Sequence, residues 1–258
     1  MKKLALLIII TAFLLGACGQ PAAEKNNKLM VSTASSLTGV MEKAAAEFGK
    51  AEPGTELVFN YGSSSKLRSQ MEQGAPVDLF LSASESDMKA LTDTGLIEKD
   101  SVVPFAKNRL VLASADGLAG SANFEELLKT TDETIAVGEP ESVPLGRYTK
   151  EALDSLGLWE ALDGKLIYAK DARQVLTYVE SGNAELGIVY SSDAVMSEKI
   201  AGIAEFPEDI QPVVYPGGIA ADSKNREAAE AFLNFLAGPD GQKLFKEFGF
   251  IPASGDES

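Results

Sequence analysis

The sequence predicts an α/β protein with largely parallel sheets. Three observations carry that reading. Short β-branched or apolar runs alternate with helical periodicity through most of the 258 residues. Glycines, some reinforced by proline, stand where the helical patterns end. No repeat of fixed period competes with this alternation, which is the pattern of strands joined by crossover helices. The pattern alone admits either one sheet or two lobes. No Gly/Pro/Ser linker divides the middle of the chain, so two lobes would be joined by extended crossings, with 107–114 and 211–219 as the candidates.

Residues 29–33 read as the first strand, and Val40, Met41, Ala44, Ala45 and Phe48 then share one face of a helix. Residues 57–61 form the second strand, followed by a helix bearing Leu67 and Met71 and stopped at Gly74-Ala75-Pro76. Residues 78–82 are the third strand, and Ser84 is placed to cap the helix after it. Strands at 110–113 and 134–137 come next, then a helix over 148–156 that ends at Gly157. A strand at 166–169 leads to a helix marked by Val175, Leu176 and Val179 and closed by Gly182. After a strand at 186–190, Ala228, Ala231, Phe232 and Phe235 define a helix ending at Gly238-Pro239. Leu244 and Phe248 define a last one, stopped at Gly249.

The N-terminus reads as an address. Lys2 and Lys3 precede an apolar run at 4–15, shorter than the roughly 20 residues a spanning helix needs. The run ends in Leu15-Gly16-Ala17-Cys18, which resembles the lipobox of bacterial lipoproteins. Residues 1–17 are therefore expected to be a signal peptide, with Cys18 the lipidated new N-terminus. Residues 18–27 form a tether, too poor in large apolar groups to fold. The expected location is the extracytoplasmic face of the cell membrane.

Composition removes whole classes of function. The chain has one cysteine and no histidine, so with Cys18 lipidated it lacks a thiol nucleophile, a redox pair and the commonest general base and metal ligand. The net charge of −15 becomes −17 once Lys2 and Lys3 leave with the signal. That surface disfavours nucleic acid, whose affinity rests on cations at phosphates. No cofactor is expected, and the chain is read as a monomer.

Four strand-to-helix turns carry small or hydroxyl residues: Thr33-Ala34-Ser35-Ser36-Leu37-Thr38, Tyr61-Gly62-Ser63-Ser64-Ser65, Val143-Pro144-Leu145-Gly146 and Lys170-Asp171-Ala172-Arg173. A helix N-terminus leaves backbone N–H groups unpaired and carries partial positive charge. In open α/β sheets ligands gather where strands end in such turns. Converging, the four turns could surround an anion with neutral donors. Taken singly, each serine or aspartate reads first as a helix cap, and Tyr190 as a core aromatic at a strand end.

Longer stretches are more specific in combination. They run from Ala34-Ser35-Ser36-Leu37-Thr38 through Gly62-Ser63-Ser64-Ser65-Lys66-Leu67 and 74–83 to 137–146, 186–194, Pro207-Glu208 and 245–250, covering nearly the whole mature chain in order. This set resembles the molybdate-binding proteins of bacterial molybdate ABC transporters. The resemblance implies a periplasmic-binding-protein fold of type II, with two α/β lobes and the ligand in the cleft between them. The lobes are then expected at 28–112 plus 211–258 and at 113–210. It implies molybdate or tungstate as the ligand, an ABC permease as the membrane partner, and no catalysis. Metal enters as an oxyanion, with no side chain ligating it directly. The implied oxyanion ligands are Ser36, Ser64, Leu145, Ala172 and Tyr190, with Leu145 and Ala172 acting through backbone N–H groups.

Alternatives remain at this stage. Another small oxyanion, such as sulfate or phosphate, or a small organic acid would suit similar turns. Arg173 could fork onto an anion directly, although the resemblance makes it supporting. Ser63-Ser64-Ser65-Lys66 fits the S-x-x-K pattern of serine hydrolases, yet the accompanying S-D-N and K-T-G elements are missing.

Overall fold

Two mixed sheets frame the molecule, which the computed structural model describes over residues 27–118 and 124–253. The signal peptide, Cys18 and nearly all of the tether lie outside the described residues. In chain order the first lobe contains β1 (Asn27–Ala34), a 3-10 turn (Ser35–Leu37), α1 (Thr38–Ala51), β2 (Thr55–Gly62) and α2 (Ser64–Glu72). It continues with β3 (Leu79–Leu81), α3 (Glu85–Asp93) and β4 (Val103–Asn108). The second contains β5 (Leu110–Ser114), α4 (Phe124–Thr130), β6 (Ile135–Gly138), α5 (Pro144–Ser155), β7 (Leu166–Ala169), α6 (Ala172–Glu180), β8 (Leu186–Tyr190), α7 (Ser191–Met196) and β9 (Gly202–Glu205). The chain then returns to the first lobe with β10 (Val213–Ile219), α8 (Arg226–Ala237), α9 (Pro239–Glu247) and β11 (Ile251–Pro252).

The first sheet runs β11-β4-β10-β3-β1-β2 and the second β7-β6-β8-β5-β9. Parallel pairing holds where a helix makes the crossover: β1 pairs parallel with β2 and β3, and β6 with β7 and β8. The strands beside the crossings pair antiparallel, β10 with β3 and β4, and β5 with β8 and β9. The expectation of largely parallel sheets therefore holds only for the strand–helix–strand units.

The lobe boundary expected after residue 112 falls inside β5 and is corrected here. All of Leu110–Ser114 pairs with β8, so the chain crosses at Arg109. It returns through 206–212 before β10. A run such as Leu110-Val111-Leu112-Ala113 is apolar enough for either sheet, and only its pairing partner decides. β10, within the extended crossing expected at 211–219, contains Pro216-Gly217-Gly218 and a register shift between Tyr215 and Pro216, so a proline and two glycines stand inside a central strand. Its glycines are packing requirements. A Cβ on Gly217 would lie 2.5 Å from Leu233 Cδ1, and one on Gly218 2.7 Å from Ile97 Cγ2.

The helical faces expected from periodicity are the buried ones. Val40, Met41, Ala44 and Phe48 of α1 are buried, as are Val175, Leu176 and Val179 of α6. Phe48 packs edge-on against Phe232, with ring centroids 5.0 Å apart, tying α1 to α8. Tyr190 from the second lobe meets Tyr215 from the first at 5.8 Å and 67°, so the aromatic core runs across the seam between lobes. Among the described residues no helix is long and apolar enough to cross a membrane.

Candidate binding site

The five residues singled out from the sequence meet around one small cavity. Ser36 and Ser64 reach it from the first lobe, and Leu145, Ala172 and Tyr190 from the second. The room for the centre of a water-sized sphere is about 10 Å3. The four oxygen centres of a tetrahedral oxyanion span only a few cubic ångström, so the cavity is commensurate with one such ion. Among the described residues no charged side chain lines it, its other walls being Ala34, Ser35, Gly62, Ser63, Ala83, Val143 and Pro144.

Each backbone donor owes its position to a helix start. Ser36 is the second residue of the 3-10 turn after β1, and Ser64 is the first residue of α2. Leu145 is the second of α5, behind Pro144, and Ala172 the first of α6. At these positions a backbone N–H has no intrahelical acceptor. The first turns of three helices and the 3-10 turn therefore point partial positive charge at one place. The capping side chains stand just before them: Ser63 Oγ accepts from Lys66 N at 3.4 Å, and Asp171 Oδ1 from Gln174 N at 2.9 Å. Asp171 is thus a cap and does not line the cavity.

The approach of α5 depends on glycine. A Cβ on Gly146 would sit 2.1 Å from the Gly138 carbonyl oxygen, so any larger residue would push the first turn of α5 off the end of β6.

The hydroxyls are arranged as donors toward the cavity. Ser64 Oγ accepts from Ala83 N at 2.9 Å, which leaves its own proton to point elsewhere. Ser36 Oγ lies 3.0 Å from Tyr215 Oη; with the phenol donating, the serine proton is likewise free. Burial holds the Tyr215 phenol above its ordinary value, so it remains a donor at neutral pH. Tyr190 Oη is buried and meets no protein atom with hydrogen-bond geometry, although Tyr215 lies beside it. Burial, with the neighbouring Tyr215, holds the Tyr190 phenol well above its usual range. It therefore presents a proton to the cavity and no charge. An orphaned buried hydroxyl is costly unless something in the cavity accepts from it.

Two alternative readings lose their geometric support. Ser63 Oγ donates to the Ser142 carbonyl across the lobes at 3.0 Å, and Lys66 is exposed, so S-x-x-K is not a nucleophile and base. Arg173 lines a neighbouring pocket rather than the cavity.

Sequence reading missed three supporting residues. Tyr215, on the strand after the return crossing, orients Ser36; an aromatic among the small residues of 213–219 was the available signal. Asn108 is fully buried at the first crossing and holds the start of α7, donating to Ser192 Oγ at 2.8 Å and accepting from Ser191 Oγ at 2.9 Å. Asp87 gathers contacts from both lobes. Ser65 Oγ donates to it at 2.9 Å, Arg68 Nε pairs with it at 3.1 Å without hydrogen-bond alignment, and Arg147 Nη2 donates from the second lobe at 3.2 Å. Arg147 also donates to Ser84 Oγ at 3.0 Å, closing one rim of the cleft. Nothing local in sequence announces a pair 60 residues apart.

With two lobes, a seam and a donor-lined cavity established, comparison with known proteins becomes informative. The model for bacterial extracellular solute-binding proteins matches residues 29–251. The chain belongs to that family. Molybdate-binding protein ModA of Haemophilus influenzae is 37% identical, covering 97% of this chain and 99% of its own length. Molybdate-binding protein ModA of Escherichia coli is 38% identical, over 89% and 91% respectively. The solved periplasmic molybdate-binding protein of Azotobacter vinelandii superposes with a TM-score of 0.80 at 28% identity, covering 86% of this chain and 98% of that one. The fold is the two-lobe periplasmic-binding-protein fold, and the family binds solutes for ABC transporters rather than catalysing reactions.

Proposed function

We propose that this chain is the substrate-binding component of an ABC importer that captures molybdate, and tungstate with it, in the cavity between its lobes. The observation that carries the reading is a small cavity between the lobes lined by neutral donors and, among the described residues, by no charged side chain. Molybdate is fully deprotonated at neutral pH, so all four oxygens only accept hydrogen bonds. Four backbone N–H groups and three hydroxyls suit that ligand. A protonated phosphate would turn an O–H toward donors, and sulfate, of the same charge but smaller, has to be rejected on size. Each hydrogen bond to a charged group contributes roughly 1.5–3 kcal/mol, opposed by desolvation of the dianion. The surface charge of −17 on the mature chain is spread over a surface screened within about 8 Å, so short-range donors dominate.

The same reading has the protein tethered by lipid at Cys18 on the outer face of the membrane and delivering its ligand to a permease. A ligand contacting both lobes favours closure by its differential affinity for the closed state. The molybdate-binding relatives and the lipobox-like Leu15-Gly16-Ala17-Cys18 support this assignment. Calorimetric titration of the purified protein with molybdate, tungstate, sulfate, phosphate and chromate tests it. Molybdate and tungstate are expected to bind at least roughly a hundredfold more tightly than the rest, about 2.7 kcal/mol. Equal or tighter binding of sulfate or phosphate would overturn the ligand assignment.

A further inference from the structure

Beside the cavity lies a second pocket of about 380 Å3, and Ser36 lines both. Its walls come from both lobes: Gly39, Val40 and Phe250 from the first, Arg173, Glu180 and Asp193 from the second. Across the same seam Gly249 lies against Ser192 and Val195. Asp193 stands in the first turn of α7, three residues after Tyr190. Among the described residues, its Oδ2 is the carboxylate oxygen that is buried and has no hydrogen-bond partner.

A bare carboxylate oxygen in that position is expensive, whereas the neutral acid loses most of the penalty. Because Oδ2 is closed to solvent, a ligand in the pocket has no path to it. A proton is the one species that needs no extra room. We propose that Asp193 is a proton-binding site coupled to oxyanion capture, its carboxylate taking up one proton from solution as the lobes close on the anion and returning it when they part. This inference rests on the oxyanion reading above.

Two effects act in the same direction. Closure sets Gly39, Val40 and Phe250 of the first lobe in one pocket with Asp193 and keeps water from its Oδ2, and a dianion in the adjacent cavity repels the ionised carboxylate. In the closed form, burial raises the carboxyl to about 7, opposed by Arg173 and reinforced by Glu180. The other groups facing it are the phenols of Tyr190 and Tyr215, which stay protonated, and Glu198 and Lys199 at the pocket wall. α1 and the 248–250 segment present no charged side chain to the pocket.

The test is titration calorimetry of the purified full chain with sodium molybdate at pH 6.5, in PIPES and in imidazole, whose ionisation enthalpies differ. The observed heat should depend on the buffer, with an uptake between about half a proton and one per molybdate bound. That uptake should decline by pH 9. Asp193→Asn should bind molybdate with no buffer dependence. If the variant does not fold, the wild-type buffer series at the two pH values still decides. Wild-type heats that do not depend on buffer at pH 6.5, or an unchanged uptake in Asp193→Asn, would overturn the coupling alone. Absence of molybdate binding in every buffer would overturn the oxyanion reading, and the coupling with it.

Discussion

Replacing Tyr190 by phenylalanine separates a ligand-binding hydroxyl from a packing aromatic. The ring is almost fully buried and packs edge-on against Tyr215, while among the described residues its oxygen has no partner at hydrogen-bond geometry, the Tyr215 phenol being its polar neighbour. Tyr190→Phe keeps the ring contacts and removes only the orphan. In the free protein the change should be neutral or stabilising, since an unsatisfied buried hydroxyl costs about 1–3 kcal/mol. At about 2–4 °C per kcal/mol for a chain of this size, the melting temperature should hold or rise by a few degrees. In the complex the same hydroxyl donates to a charged oxygen, a bond of roughly 1.5–3 kcal/mol, so molybdate affinity should fall about ten- to a hundredfold. Wild type at a hundred times its Kd gains about 2.7 kcal/mol from ligand, and the variant at that concentration should keep only about 0.4–1.4 kcal/mol of it. Differential scanning calorimetry with and without molybdate reads both effects. A variant that melts several degrees lower when free yet keeps its ligand-induced shift would show that the hydroxyl serves the fold, and would refute the assignment.

Further outcomes follow from the same geometry. Arg147→Ala removes the bonds to Asp87 and Ser84 across the cleft rim and should speed molybdate dissociation about fivefold, the equivalent of 1 kcal/mol for a partly exposed pair, with little change in association; stopped-flow fluorescence measures both rates, and an unchanged dissociation rate would refute the latch. Gly146→Ala should displace the start of α5 through its clash with the Gly138 carbonyl, lowering the melting temperature and weakening molybdate binding together; a variant normal in both would refute the close-approach argument. Asp193 has a raised folded value of about 7 against an ordinary 3.8, so its contribution to stability is greatest below the ordinary value, declines as pH rises between the two, and is level above about 7. In the molybdate-saturated, closed protein Asp193→Asn should therefore gain on wild type in thermal unfolding as pH rises from 5 to 7.5, and a constant difference over that window would show that the carboxyl does not titrate there.

Much of this architecture was legible in the sequence because hydrophobic periodicity and helix punctuation are local signals. The buried faces of α1 and α6 and the stops at Gly157 and Gly182 depend on residues a few positions apart. The turns around the cavity were legible for a related reason, since strand-to-helix turns place N–H groups wherever they occur, while the family resemblance picked out Ser36, Ser64, Leu145 and Ala172 within them. Tyr190 has no such turn to mark it: apart from the resemblance, a tyrosine at a strand end reads first as core. What escaped was nonlocal. β10 reads from sequence only as an extended crossing, because Pro216 and two glycines fit a central strand only through its partners Leu81, Leu233 and Ile97. The lobe boundary was misplaced by three residues because β5 declares its sheet only by pairing with β8. The Arg147–Asp87 bridge and the Tyr215–Ser36 bond join positions brought together by folding, and neither partner is unusual in its own neighbourhood.

Neutral donors gathered from both lobes around one small dianion are the heart of this account. Crystals grown with sodium molybdate and measured at the molybdenum absorption edge test it most directly. One strong anomalous peak is expected in the cavity, with oxygens about 2.7–3.1 Å from the backbone nitrogens of Ser36, Ser64, Leu145 and Ala172 and from Tyr190 Oη. A peak beside Arg173 or Lys199 in the neighbouring pocket, with the cavity left without molybdenum, would contradict it.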